Sequence, residues 1–216
     1  MSVLGRKKLC VLGAVLGGLS CGGGGGGTTP PGPPVDLLKN PAGDNQSWYF
    51  NNPLPTALSV TAVDVDGRAV PGVVVTWAVT TPNGGGVNPP QSTTNGSGVA
   101  TTADSIGAVT LQNVTATFTG LSGPVTFASH ATTPPNSGAV NVGDNFFNPA
   151  SVIVQVNSTV TWTWTGQLGH SVTFTGGADS GVIPAGTFQQ TFTTVGTKSY
   201  FCKVHQNMTG TVTVVH

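Results

Sequence analysis

Apolar residues alternate with polar ones in short runs along most of the chain. Every second residue is apolar in Leu58–Ala62 and Val73–Val79, and the pattern returns in Val152–Val156 and Val160–Trp164. A period of two places apolar side chains on one face of a β-strand. Clusters of turn-forming residues, such as Pro82–Gly86, separate the runs. The pattern therefore predicts an all-β protein with short strands, in the form of β-sandwiches.

Two segments rich in Gly and Pro divide the chain. The first has six consecutive glycines followed by TTPPGPP, and the second reads TTPPNSG. Neither composition can bury a core. We therefore predict a tether over 21–34, a β-sandwich domain over 35–131, a linker over 132–138 and a second β-sandwich domain over 139–216.

Composition narrows the class of protein. Only 6% of the 216 residues are charged, and seven basic residues balance seven acidic ones. This excludes a nucleic-acid-binding protein that acts through a basic surface. No apolar run reaches the roughly 20 residues that a membrane-spanning helix needs.

The N-terminus has the order of an export signal. A positive run, Arg6–Lys8, precedes an apolar stretch, Leu9–Leu16, and small residues lead to Cys21. The ending resembles a bacterial lipoprotein signal, with Gly18 where that family usually has Leu. The resemblance implies removal of residues 1–20 and lipidation of Cys21. Cleavage by the ordinary signal peptidase and an uncleaved anchor are the alternatives.

Processing changes the expected location and charge of the protein. We expect an exported protein in the periplasm or at the cell surface, tethered to the membrane through its lipid. Four basic and seven acidic residues follow position 20, so the mature net charge is 4 − 7 = −3.

The first predicted domain has a family likeness. The run Leu58–Val79, together with Gly98–Ala100 and Val125–Ala128, resembles the bacterial Ig-like repeats of invasin and intimin. The resemblance covers about residues 42–131. It implies an Ig-like fold that serves as a spacer or adhesive stalk and carries no chemistry.

The ionisable residues of this domain do not form a recognisable site. Asp64, Asp66 and Asp104 are scattered in turn-like contexts. We expect them to be solvated turn residues, and we expect His130 to lie on the surface.

One cysteine of the mature chain needs an explanation. Cys21 and Cys202 alone remain after processing, and lipidation of Cys21 would leave Cys202 as the single free thiol. An intrachain disulfide is then impossible. An unpaired thiol in an exported protein is open to oxidation unless something occupies it.

The neighbours of this thiol form a metal-ligand pattern. Cys202, His205 and Met208 are spaced three and three residues apart, and His170 lies upstream in the segment GHSVTF. A thiolate, two imidazoles and a weak axial thioether are the ligands of a blue (type I) copper site. We expect Cys202 to end one strand and Thr209–Val215 to form the next, with His170 at the start of another strand.

The second predicted domain resembles a small cupredoxin of the plastocyanin and amicyanin group. Asn145–Pro149 and Val160–Trp162 match the early strands of the family, and Tyr200–Met208 matches its ligand loop. The resemblance implies a Greek-key cupredoxin sandwich that holds one copper ion. By position, it assigns the same two histidines, cysteine and methionine as the copper ligands.

Two residues beside the ligands depart from the family pattern. Ser171 replaces the Asn that often follows the first histidine, and Val204 replaces the Pro that often precedes the second. Residues at such positions adjust the reduction potential of a bound metal more than they determine whether it binds. The resemblance also implies that electrons leave through the loop histidine His205, with Leu168 and Gln206 as candidate rim residues.

These features predict a monomeric electron carrier with a redox-protein donor and acceptor, and not an enzyme. The alternatives are a non-redox protein that stores or delivers copper and a cell-surface adhesion protein. A multicopper oxidase needs more histidines than the four present. A binuclear copper centre needs a second cysteine in the loop, and a cysteine hydrolase would place its nucleophile at a helix N-terminus rather than a strand end. A structural zinc site would have more thiolates and no methionine.

Overall fold

The computed structural model describes residues 29–216, and apart from one short 3-10 turn, Pro41–Gly43, its regular structure is entirely β. The all-β prediction is therefore confirmed. No helix in this part of the chain is long and apolar enough to cross a membrane. The predicted signal over 1–20, Cys21 and the glycine run of the tether lie outside the described residues.

Seventeen strands run through the described residues. Those of the first half are β1 (Asp36–Lys39), β2 (Gln46–Tyr49), β3 (Leu58–Val63), β4 (Val74–Val79), β5 (Gly86–Asn88), β6 (Gln91–Thr93), β7 (Val99–Ser105), β8 (Leu111–Thr117) and β9 (Val125–Thr132). Those of the second half are β10 (Ser137–Gly143), β11 (Phe146–Asn148), β12 (Ser151–Gln155), β13 (Ser158–Trp164), β14 (Thr173–Phe174), β15 (Thr187–Phe192), β16 (Gly196–Phe201) and β17 (Thr209–Val215).

The first half is a sandwich of two sheets. One sheet has the strand order β1-β3-β7-β5, and the other has the order β2-β9-β8-β4-β6. The alternating runs put their apolar residues between the sheets, where Leu58, Val60, Trp77 and Phe127 are almost completely buried. The buried Trp77 satisfies its indole N–H by donating to Ser92 Oγ at 2.9 Å.

The second half is another pair of sheets with a separate core. Their strand orders are β11-β10-β13-β15 and β12-β17-β16-β14, with β10 parallel to β13 and β12 parallel to β17. Trp162 and Tyr200 meet edge to face at the centre, with ring centroids 5.3 Å apart. The antiparallel pair β16 and β17 brings residues 202–208 to one end of this sandwich.

The connection between the two sandwiches is short. β9 ends at Thr132 and β10 begins at Ser137, so the strands extend into the predicted linker from both sides. The side chain of Asn52, in the first half, accepts from the His216 N–H at 3.0 Å and donates to the His216 carbonyl at 3.4 Å. This pair of hydrogen bonds joins the first sandwich to the residue that follows β17.

The expectation that Asp64 is a solvated turn residue is wrong, because it is only 2% exposed. Its carboxylate accepts hydrogen bonds from the backbone N–H groups of Gly32, Asp66 and Arg68 and from the Arg68 guanidinium. Burial raises the pKa of Asp64, but these donors outweigh it and lower the pKa to about 2. Asp66 and His130 are exposed, as predicted.

The same expectation is wrong for Asp104, which is also 2% exposed. Its carboxylate accepts one hydrogen bond from Gln112 Nε2 at 2.7 Å. Burial raises the pKa of Asp104 to about 6, against the opposing effects of Gln112 and the Ser105 backbone N–H. The cause is that a carboxylate inside the protein loses hydration that few donors replace.

Asp104 makes the stability of the protein depend on pH. Because its pKa is higher in the folded state, the contribution to stability is full below about pH 4 and is lost as the pH rises through about 6. A rise in pKa from 3.8 to about 6 corresponds to about 3 kcal/mol. We expect Asp104→Asn to remove this dependence, so that the variant gains about 3 kcal/mol relative to the wild type between pH 4 and pH 7. Urea unfolding of both proteins across that range measures the difference, and a difference that stays constant with pH would contradict the assignment.

Candidate metal centre

The loop between β16 and β17 turns back on itself within seven residues. β16 ends one residue before Cys202 and β17 begins at Thr209, close to the predicted positions. The Cys202 N–H donates to the Met208 carbonyl at 3.0 Å, and the Met208 N–H donates to the His205 carbonyl at 3.4 Å. Asn207 adopts a left-handed conformation with φ of 67°, which asparagine tolerates better than most residues. The loop is thus closed by its own backbone.

His170 reaches the same end of the sandwich from a different part of the chain. It lies three residues before β14 rather than at the start of a strand, and it pairs with Ile183 through two backbone hydrogen bonds of 3.0 and 3.1 Å. The Trp164 indole N–H also donates to the His170 carbonyl at 3.2 Å. The histidine is completely buried, and these three bonds fix its backbone.

Three potential ligand atoms converge at this end. Cys202 Sγ lies 3.9 Å from His170 Nδ1 and 3.6 Å from His205 Nδ1, and all three atoms lie within 4.8 Å of one another. The two imidazole centroids are 4.5 Å apart. A metal ion about 2.0–2.3 Å from its nitrogen and sulfur ligands in a trigonal arrangement would separate them by about 3.8 Å. The spacing therefore fits one metal ion held by one thiolate and two imidazoles.

Met208, the fourth predicted ligand, lies in the core beside this group. It is 2% exposed and belongs to the same buried cluster as Cys202, which is 4% exposed. A long, unbranched thioether packs well in such a core whether or not it also approaches a metal.

Ser171 links the two halves of the site. Its N–H donates to Cys202 Sγ at 3.4 Å, and its Oγ accepts from the Lys203 N–H at 2.9 Å. The network continues outward, since Ser171 Oγ contacts Thr173 Oγ1 at 3.1 Å and Thr173 donates to Asp179 at 3.1 Å. Asp179 also forms an ion pair with the Lys203 ammonium group.

A carboxylate touches the far side of the His170 ring. Asp144 Oδ1 accepts from the backbone N–H groups of Gln167 at 2.8 Å and Leu168 at 2.9 Å, and it lies 3.4 Å from His170 Nε2. The Leu168 N–H is the main cause that lowers the pKa of Asp144, with partial burial opposing it and His170 and Gln167 adding to it. Asp144 is therefore ionised at neutral pH.

The three side chains that converge here are predictable from the sequence, whereas Asp144, Thr173 and Asp179 are not. Asp144 comes 26 residues before the histidine that it touches, and Asp179 comes 24 residues before Lys203. No short spacing pattern connects residues so far apart. The polar turn that contains Asp144, directly before the NFFNP segment, is the only local signal.

The second half of the chain is similar to known proteins. The sequence profile of the copper-binding proteins of the plastocyanin/azurin family matches residues 137–215. Plastocyanin from Scenedesmus fuscus is 32% identical over 83 residues, an alignment that covers 32% of this chain and 85% of that protein. The chain belongs to the plastocyanin/azurin family. The match with this family begins at the first residue of β10 and ends at the last residue of β17.

Solved structures similar to this member of the plastocyanin/azurin family include two kinds of cupredoxin. A variant of amicyanin in its reduced state is 28% identical, with a TM-score of 0.34 over 37% of this chain and 82% of that one. A purple cupredoxin from Nitrosopumilus maritimus is 22% identical, with a TM-score of 0.34 over 36% of this chain and 99% of that one.

The cofactor follows from the family and the ligand atoms together. The plastocyanin/azurin family binds copper, and the thiol and two imidazoles suit that metal. The predicted cofactor, one type I copper ion, is therefore confirmed.

Proposed function

We propose that this protein carries single electrons between a donor and an acceptor redox protein, with its copper held by His170, Cys202, His205 and Met208. The observation that carries the proposal is the convergence of one thiol and two imidazole nitrogens at 3.6 and 3.9 Å. When bound, copper would supply a one-electron couple, in which a reduced donor protein converts Cu(II) to Cu(I) and an oxidised acceptor protein restores Cu(II).

The chain itself holds these ligands in place. Backbone hydrogen bonds join His170 to Ile183 and Cys202 to Met208, and so fix the positions of both ligands. The Ser171 N–H points at the thiol sulfur and can donate to a thiolate. Groups held in position by the fold need little rearrangement when charge changes at the site, which favours fast electron transfer.

Met208 would be the fourth and weaker ligand of the copper. Its burial at the end of the ligand loop and the bond between its carbonyl and the Cys202 N–H support this role. A weakly bound thioether would stabilise Cu(II) less than an oxygen ligand would, and the expected consequence is a higher reduction potential.

The partner would dock around His205. This histidine is half-buried, and its chain neighbour Val204 is about half exposed. Leu168 and Val182, which lie beside the segment that carries His170, are exposed to the same extent. Apolar side chains at this exposure are suited to a contact that excludes water. Gln206, the other predicted rim residue, is also exposed. An electron would then pass between the proteins through the His205 imidazole.

The rest of the chain would position the carrier outside the cytoplasm. The export pattern of the first 20 residues and the placement of Cys21 support a lipid-anchored protein in the periplasm or at the cell surface, and we propose that it is a monomer. The first sandwich has its own core of twelve buried residues and supports the role of an Ig-like spacer. Its contact with His216 would hold the copper-binding half against this spacer.

Repeated redox cycling distinguishes this function from copper storage or delivery. We would load the protein with copper, then reduce and reoxidise it through several cycles in the presence of a Cu(I) chelator. An electron carrier keeps its copper and returns to the same spectrum after each cycle. Transfer of most of the copper to the chelator after the first reduction would overturn the proposal in favour of delivery.

Ser171 is expected to stabilise the ligand loop through its hydrogen bond with the Lys203 N–H. Ser171→Ala leaves the Lys203 N–H without its acceptor, which for a partly buried donor costs about 1–3 kcal/mol. We expect lower stability of that order and faster loss of copper to a chelator. Thermal or urea unfolding and the rate of copper release measure both effects.

Ser151→Ala is the matched control for this prediction. Ser151 is exposed, and its Oγ accepts a hydrogen bond from Thr211 in the neighbouring strand β17. We expect a change within about 0.5 kcal/mol and an unaltered rate of copper release. Equal effects of the two substitutions would contradict the role of Ser171.

A further inference from the structure

We propose that Asp144 is a positioning residue that fixes the orientation and tautomer of the ligand His170. The inference rests on the proposed copper site. Asp144 lies outside both the segment that carries His170 and the loop that carries Cys202, His205 and Met208. A histidine that binds a metal commonly donates its other ring N–H to a carboxylate, and this bond sets the ring orientation and raises the basicity of the ligating nitrogen.

The two ring nitrogens of His170 face different groups. Nε2 lies 3.4 Å from Asp144 Oδ1, whereas Nδ1 faces Cys202 Sγ at 3.9 Å. A neutral imidazole carries one proton. With a carboxylate as its partner, Nε2 must be the nitrogen that donates. The lone pair of Nδ1 is then directed toward the thiol and the second imidazole, where a metal ion would bind.

Asp144 is itself held rigidly. The backbone N–H groups of Gln167 and Leu168 both donate to the oxygen that faces His170. Two fixed donors on one carboxylate oxygen restrict where the side chain can lie. The Asp144 carboxylate is therefore held in one orientation as a hydrogen-bond acceptor and does not rotate freely.

Gly166 makes room for this carboxylate. A Cβ at position 166 would overlap Asp144 Oδ1 and would lie 2.8 Å from the Asp144 backbone nitrogen. Real Cβ atoms essentially never approach other atoms so closely. Gly166 therefore gives a second means of displacing the carboxylate, one that leaves its charge in the chain.

Three variants separate hydrogen bonding from charge. Asp144→Asn keeps a neutral oxygen that can accept from the two backbone N–H groups and from Nε2. Asp144→Ala removes the acceptor, and Gly166→Ala displaces it without changing the charge. Because loss of such an outer partner costs about 10- to 100-fold in metal affinity, we expect that loss for the two alanine variants and a smaller one for Asp144→Asn.

The test measures Zn(II) and Cu(I) affinity by competition with chelators, and it records the NMR signal of the His170 Nε2–H in the Cu(I)-loaded protein. In the wild type we expect a slowly exchanging Nε2–H proton. In Asp144→Ala and Gly166→Ala we expect fast exchange with water together with weaker binding. A folded Asp144→Ala protein with unchanged affinity and an unchanged Nε2–H signal would overturn the inference.

A purely structural role predicts a different result. If Asp144 only stabilised the fold, the alanine variants would lower the free energy of unfolding, while the affinity and the Nε2–H exchange of the folded protein stayed the same. Failure of the wild type to bind copper would refute the proposed function instead. The two failures are therefore distinguishable.

Discussion

Replacing Cys202 by Ser is expected to abolish the intense blue absorption of the copper-loaded protein. That absorption requires charge transfer from a thiolate to Cu(II), and Cys202 is the single cysteine among the residues that the structure describes. A hydroxyl is also a much poorer copper ligand than a thiolate. Loss of a residue that only hydrogen-bonds to a ligand lowers metal affinity about 10- to 100-fold, and we expect loss of this ligand itself to lower it further. Visible absorption and a chelator competition measure the two effects.

The serine variant should still fold. Serine is close in size to cysteine, and the backbone bond from residue 202 to Met208 does not depend on the side chain. Thr209→Ser, at the other end of the same loop, is the matched control and should keep the full blue absorption. A Cys202→Ser protein that stays blue would show that the copper lies elsewhere.

Gly210→Ala is expected to cause the largest loss of stability in the copper-binding half. Gly210 lies directly opposite Tyr200 in the β16–β17 pair. A Cβ at this position would overlap the Tyr200 ring, at 2.5 Å from Oη and 2.7 Å from Cε2. The ring cannot move aside, because it is 1% exposed and packs against Phe147 and Trp162 with centroids 4.8 and 5.3 Å away.

We expect this substitution to cost about 3 kcal/mol or more, the upper part of the range for overpacked cores. Gly123→Ala is the control, since a Cβ there meets no atom within 4 Å and should change stability by less than about 0.5 kcal/mol. The double variant Gly210→Ala, Tyr200→Leu should recover part of the loss, measured as a coupling energy in urea unfolding. Equal stability of Gly210→Ala and the wild type would contradict the packing described here.

The sequence was sufficient to predict the ligand loop because its pattern is local. Cys202, His205 and Met208 are close in the chain and lie between two strands whose alternation is easy to read. Thr209–Val215 forms a strand with the predicted bounds. His170 could be found because its chemistry completes a known set of copper ligands, although its position in an isolated bridge, and not in a strand, could not be foreseen.

The outer partners and the buried acids depend on tertiary structure. Asp64 looks like a turn residue because Asp66 and Gly67 follow it, but the docked Gly32 N–H and the Arg68 side chain bury it. Asp144 carries no pattern that relates it to a histidine 26 residues away. Periodicity and short motifs report on neighbours in the chain, and these contacts join distant segments.

One copper ion is expected to bind at the thiol and the two imidazoles and to exchange one electron. The most direct test is to titrate the protein with Cu(II) while recording its visible spectrum, and then to add ascorbate followed by an oxidant. We expect an intense blue band that saturates at one equivalent of copper, disappears on reduction and returns on oxidation. A protein that stays colourless, or whose colour saturates at another stoichiometry, would contradict the account.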